Sequence, residues 1–264
     1  MPLPRLAARR AGRMAQFRHS SGRDGGTENA ASVGEWSSRG VTCIVRWGPR
    51  LDAVDSPLLK LIYVGDPMCS WCWGFAPEIE ELSVDHPVEV VVGGLRPGPS
   101  AQPLGDRMAG FLREHWVEIA ERTGQPFDTA FLDRRDNWLY DTEPAAIAVV
   151  TMREVNQSAT LDYFTDVQRA FYADGRDVTD IDVLADIAAN HSLDRSEFRS
   201  RLETDDARQA AWADFSQART WGITGFPTLV GELTGDRLAL LARGWTKAEL
   251  IRSRIASLDE AAVG

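Results

Sequence analysis

Cysteine is scarce in this chain, with three in 264 residues. Three are too few to staple a disulfide scaffold, and a chain of this length can bury a core without one. Lysine is scarcer still: Lys60 and Lys247 are the only two among 29 basic residues. No apolar run approaches the ~18 residues a bilayer-spanning helix needs, which excludes an integral membrane protein of that kind. The four histidines, His19, His86, His115 and His191, are scattered. No Ser/His/Asp grouping has a recognisable spacing, and no glycine-rich loop fits a phosphate fingerprint. Excess positive charge is also missing: the net charge is −10, which argues against nucleic acid as the main partner.

What is present is unevenly spread. Hydrophobic residues make up 44% and charged residues 26%, as in ordinary globular proteins. Residues 1–56 hold nine arginines and five acids, a net of +4, and the remainder carries a net of −14. Gly, Ser, Pro and Arg dominate that leader, and no periodic pattern runs through it. It is expected to be a disordered basic extension, because it cannot bury enough apolar surface to offset its ordering entropy. Arg9, Arg10, Arg13 and Arg18 interrupt any signal-peptide core. The first 23 residues, rich in Arg and free of acid, match a transit-peptide composition on that ground alone. Residues 41–45 read as a weak strand, and Cys43 is expected to have no role.

The informative stretch starts at Leu58. Leu58 to Val64 is an apolar run suited to a buried strand, ended by Gly65, Asp66 and Pro67. Cys69-Ser70-Trp71-Cys72 follows and opens a helical pattern through Ile79 and Leu82. A helix start presents unpaired N–H groups and a positive dipole end. Both favour a thiolate at Cys69, so its pKa is expected to be lowered and the residue to be the nucleophile. Cys72 lies one turn on, on the same face, where it can close or resolve a disulfide. Pro67, Trp71, Trp73 and Phe75 are expected to surround the pair with apolar surface. Half a zinc site is the weaker alternative, since four ligands are needed and only Cys43 and scattered histidines remain. Two inert buried cysteines are the other. A redox pair is preferred to both.

Far downstream, Gly225-Phe226-Pro227-Thr228 leads into a strand pattern. Proline at the mouth of a strand removes a ladder donor, and a cis peptide in a tight turn makes sense of it. Strand, C-x-x-C, helix and a distant Gly-Phe-Pro-Thr together resemble the thioredoxin superfamily, its DsbA-like branch in particular, and within that its group of predicted protein-disulfide isomerases. Asp66 to Pro77 is similar to that group's active-site segment, and the resemblance covers residues 58–264. It implies that Cys69 and Cys72 are catalytic and that Pro227 is the cis-proline beside them. It implies that Phe226 and Trp71 contact substrate and that Pro77 kinks the active-site helix. One departure stands out. Tyr63 occupies the position, six before the first cysteine, where many relatives carry a buried acid. Proton transfer at Cys72 then falls to water or another group, with Asp66 the named candidate.

Residues 88–92 read as a second strand, parallel to the first by a helical crossover. Strand pattern resumes only near Thr228, and the gap is helical. Leu104, Met108, Phe111, Leu112, Trp116 and Ile119 define one apolar face. Helices are also expected from Pro144, Leu161, Ile181, Phe198 and Ala207 onward. Two strands around a Gly235-Asp236 turn and a final helix capped by Thr246 complete the chain. Arg96 is read as a solvated loop residue that could contact an anionic substrate. His115 is read as a satisfied or solvated histidine, and Trp116, Trp138 and Trp212 as core.

The expected fold is therefore α/β, thioredoxin-like with a large helical insertion (DsbA-like), after the disordered N-terminal extension. Its parts are 1–56 (extension), 57–96 and 206–264 (thioredoxin-like domain) and 97–205 (insertion). The expected function is thiol–disulfide oxidoreductase or protein-disulfide isomerase, cytoplasmic, acting on protein or peptide thiols and disulfides. No metal or organic cofactor is required, and glutathione is admitted as reductant or co-substrate. Two rivals are weighed. Kappa-type glutathione transferases and 2-hydroxychromene-2-carboxylate isomerases resemble the same fold but typically carry Ser at the nucleophile position. A non-enzymatic binding or chaperone module would keep the pair as a passive staple.

Overall fold

The computed structural model describes residues 35–37, 58–133, 138–233 and 237–263. The expected strand at 41–45, Cys43 and the Gly235-Asp236 turn lie outside them, as does all of the leader except β1 (Glu35–Ser37). β2 (Leu61–Gly65), α1 (Ser70–Ser83) and β3 (Val88–Val92) form the first strand–helix–strand unit. β6 (Thr228–Leu233), β7 (Arg237–Arg243) and α8 (Ala248–Val263) close the chain. The sheet order is β1-β7-β6-β2-β3, with β2 parallel to β3 and the other neighbours antiparallel. Short β1 falls within the stretch expected to lack structure, where it pairs with β7.

The segment between β3 and β6 holds helices α2 (Asp106–Thr123), α3 (Glu143–Val155), α4 (Thr160–Tyr172), α5 (Ile181–Ala189), α6 (Arg195–Leu202) and α7 (Asp205–Thr220). A small hairpin of β4 (Gln102–Pro103) and β5 (Leu139–Tyr140) also lies there, and helical periodicity gave no sign of it. Among the described residues no helix is long and apolar enough to cross a membrane.

Alternation along β2 decides the layering. Leu61 and Tyr63 point into the larger core with Phe75, Val90 and Val92. Ile62 and Val64 point the other way, to Val91, Ala218, Ile223 and Val230. Both faces are covered, so the strand reads as an unbroken apolar run. In α2, Leu112, Trp116 and Ile119 are buried as expected, but Phe111 is 58% exposed. It sits at the margin of the apolar stripe, where helix α2 faces a cleft rather than core. Thr246 does not cap α8. Its hydroxyl donates to the Gly244 carbonyl, and the Ala248 N–H donates instead to Glu78 of α1 at 2.7 Å.

β3 is an edge strand, and two side chains occupy its outward groups. Asp214 of α7 accepts from the Val92 N–H at 3.0 Å. Arg153 of α3 donates to the Val90 carbonyl at 2.8 Å and grips Asp214 with two bonds of 2.8 and 2.9 Å. The pair blocks further strand addition and ties α3 and α7 to the sheet. Arg153→Ala, which strands the Asp214 carboxylate, is expected to cost about 3 kcal/mol in urea unfolding. Adding Asp214→Asn should recover part of that loss. A double variant no more stable than the single one would show that the unpaired charge is not the source of the cost.

Candidate active site

The site forms where β2 and β3, a parallel pair, end on the same side, the usual place for a ligand in such sheets. β2 stops at Gly65, and Asp66-Pro67-Met68 turn the chain into α1. Cys69 takes the N-cap position in extended geometry, φ −95° and ψ 117°. Its carbonyl accepts the N–H groups of Cys72 at 2.9 Å and Trp73 at 3.1 Å. Both cysteines are free thiols. Cys69 is 7% exposed and Cys72 is fully buried. Burial pushes the Cys72 thiol well above its ordinary pKa, and the neighbouring Cys69 sulfur adds to the rise, so Cys72 is protonated at neutral pH.

The Phe226–Pro227 peptide is cis, and its Phe226 carbonyl lies 3.7 Å from Cys69 Sγ as the thiol's acceptor. Gly93 makes room for this contact: a Cβ there would sit 2.0 Å from the Phe226 ring. The structure thus brings Cys69, Cys72, Trp71, Phe226 and Pro227 to one place. Trp73 and Phe75 are not part of its surface. They are 1% and 0% exposed and belong to the core, because α1 turns that face inward.

Asp66 is buried beneath the turn. One carboxylate oxygen accepts the Met68 N–H at 2.9 Å and the other the Leu95 N–H at 2.7 Å. Burial raises its pKa to about 6, against the opposing pull of those N–H groups, the Thr142 hydroxyl and Arg96. The carboxylate oxygens are therefore engaged elsewhere, and it is the Asp66 main chain, not its carboxylate, that interacts with the Cys72 thiol and eases the rise of its pKa. Tyr63 fills the position expected for an acid. Its buried hydroxyl stands beside Cys72 without an aligned hydrogen bond. Tyr140 of β5 donates to the Met68 carbonyl, a contact from the insertion that no local pattern signalled.

In front of Cys69 lies a cleft of about 420 Å³ whose walls include Trp71, Arg96, His115, Arg219, Ile223 and Phe226. Arg96, read from sequence as a solvated loop residue, stacks over the Tyr140 ring at 5.0 Å in that wall. His115 lines it too. By contrast His86 bonds the Leu59 carbonyl at 3.1 Å and His191 pairs with Asp166 at 3.0 Å.

A dithiol at the start of a helix in contact with a cis X–Pro peptide marks a thioredoxin fold, and the helical segment between β3 and β6 makes it DsbA-like. A thioredoxin family model (Thioredoxin_5) matches residues 62–232, and the chain belongs to that family. Among solved structures, a candidate protein disulfide isomerase of Nitrosomonas europaea is 32% identical. Its TM-score is 0.68, over 78% of this chain and 99% of that one. The cytosolic disulfide reductase DsbM of Pseudomonas aeruginosa is 25% identical with a TM-score of 0.64, over 77% and 100%. Among curated proteins, the ClpXP adapter protein SpxH of Bacillus subtilis (strain 168) is 26% identical over 65% of this chain. The match spans 57% of that relative's length.

Asp66 also sets a pH signature. Its pKa is raised above the unfolded carboxylate range, so it destabilises the fold as pH rises from about 4 to about 6. The unfolding free energy of the wild type minus that of Asp66→Asn should fall across this window. The slope approaches ~1.4 kcal/mol per pH unit at most. A flat difference would show that Asp66 does not titrate there.

Proposed function

We propose that this chain is a thiol–disulfide oxidoreductase in which Cys69 is the nucleophile and Cys72 the resolving thiol. The observation that carries this is the inequality of the pair: the outer sulfur faces the cleft and the inner one is buried and held protonated. In the reducing direction, Cys69 Sγ attacks one sulfur of a substrate disulfide. The Cys69–substrate S–S bond forms, the substrate S–S bond breaks, and the leaving thiolate takes a proton. Cys72 then loses its proton and attacks Cys69 Sγ. The Cys69–Cys72 disulfide forms, the second substrate thiol leaves, and two electrons have passed to substrate. Two molecules of glutathione restore the dithiol and become glutathione disulfide. Run backward, the same steps oxidise a substrate dithiol, and successive attack and release gives isomerisation.

Trp71 and Phe226 line the cleft, and with the cis peptide before Pro227 they present the substrate sulfur to Cys69. The reductase and the candidate isomerase found among similar structures support this class. A cytoplasmic setting, where a disulfide is transient, suits it as well. The adapter function named for the SpxH relatives supports a second reading, in which this chain holds a protein partner and the pair is inert.

Cys69→Ser should abolish exchange, a loss of at least about a thousandfold, because no other described thiol reaches the cleft. Cys72→Ser should retain attack but accumulate covalent adducts with substrate, seen by mass spectrometry. Absence of adducts would sink the two-step mechanism. Slow alkylation of Cys69 at neutral pH, at the rate of an ordinary thiol, would favour the inert adapter.

A further inference from the structure

The cleft does not end at the thiol. A second groove of about 470 Å³, walled by Arg96, Gln102, Pro103, Arg107, Met108 and Phe111, adjoins it. Arg96 and Phe111 belong to both. A run of rings leads from one to the other. Trp71 meets His115 edge-on at 5.8 Å, and His115 stacks on Phe111 at 5.5 Å. Phe111 is 58% exposed although its helix has a buried apolar face elsewhere. On the far side, Arg122 lies over the Trp71 ring at 5.5 Å.

The charge of this surface is unlike that of the rest of the chain, whose net is −10. Among the described residues neither groove has a carboxylate in its lining. Glu118, 3.8 Å from His115 Nδ1, is outside both. Elsewhere Arg113, Arg153, Arg195, Arg199, Arg208 and Arg252 each hold a carboxylate. Among the described residues no carboxylate lies within ion-pairing distance of Arg96, Arg107, Arg122 or Arg219. Arg169, Lys247 and Arg254 also form no ion pair among the described residues. Arg96, Arg107 and Arg219 are the ones that line the grooves beside the thiol, with Arg96 near enough to the buried Asp66 carboxylate to lower its pKa. One exposed ion pair is worth little, but a concave surface of one sign focuses its field and speeds the arrival of opposite charge.

We propose that the two grooves form one track for an extended polypeptide whose cysteine is flanked by acidic side chains. The peptide's sulfur sits at Cys69, one flank meets Arg96 and Arg219, and the chain continues along the Trp71–His115–Phe111 rings to Arg107. A small anionic thiol would occupy the inner cleft and leave Arg107 idle. The proposal rests on the oxidoreductase reading and names its substrate class.

The test uses the full chain, reduced beforehand, in single-turnover exchange. Substrates are peptides of about twelve residues whose central cysteine is joined to 2-mercaptoethanol, with flanks of Glu or of Arg. Bis(2-hydroxyethyl) disulfide is the neutral control. The Glu peptide should react about tenfold faster than the Arg peptide at low salt, and the ratio should fall toward one at about 0.5 M salt. Arg107→Glu and Arg96→Glu should each reduce the ratio severalfold. Equal rates for the two peptides, with the neutral disulfide reacting, would overturn the acidic track and leave the redox reading standing. A ratio reduced by Arg96→Glu but not by Arg107→Glu would also overturn it, in favour of a small anionic ligand. No reaction with the neutral disulfide would overturn the redox reading and this inference with it.

Discussion

The buried carboxylate of Asp66 is the fixed point of the site. Its two oxygens hold the N–H groups of Met68 and Leu95, which ties the turn entering α1 to the loop leaving β3. Its own carbonyl accepts the Cys69 N–H at 3.0 Å. Thr142 joins from the insertion, accepting the Arg96 N–H at 3.1 Å, and Tyr140 holds the Met68 carbonyl. A charge taken out of water is tolerated only when hydrogen bonds replace its hydration. Here the replacement is partial, as the raised pKa of about 6 records. The loop that carries the nucleophile is thus fixed by contacts with two separate stretches of chain, at residues 95–96 and 140–142.

From that fixation follows the inequality of the two thiols. α1 starts at Ser70, so Cys69 stays at the helix mouth and Cys72 turns under it toward Tyr63 and the Asp66 main chain. Beside the inner sulfur, where the resemblance leads one to expect an acid, this chain has a phenol. Burial holds the Tyr63 hydroxyl well above its ordinary pKa, so it is a neutral neighbour. The Asp66 carboxylate serves instead to hold the turn, accepting the Met68 and Leu95 N–H groups.

Much of this was legible in the sequence because it is local. The apolar run before Gly65, the spacing of Cys69 and Cys72 and the proline at 227 each follow from rules acting over a few residues. So do the helices of the insertion, where three- and four-residue spacing marks the buried face. What escaped is what joins distant segments. The carboxylate of Glu78 meets the start of α8 across 170 positions, and Asp214 reaches β3 across 122. Tyr140 comes to Met68 from 72 positions away, through a hairpin too short to show a period. Phe111 fits its helical stripe on paper yet faces a cleft, because periodicity gives a direction and not what lies in that direction. Trp73 and Phe75 failed as surface residues for the same reason.

The most direct test of the account is a redox titration of the Cys69–Cys72 pair in graded glutathione buffers, followed by the fluorescence of Trp71 and Trp73. One reversible two-electron transition is expected at a potential between roughly −270 and −120 mV, the span of this superfamily. Fluorescence and thiol content unchanged across that whole range would contradict it.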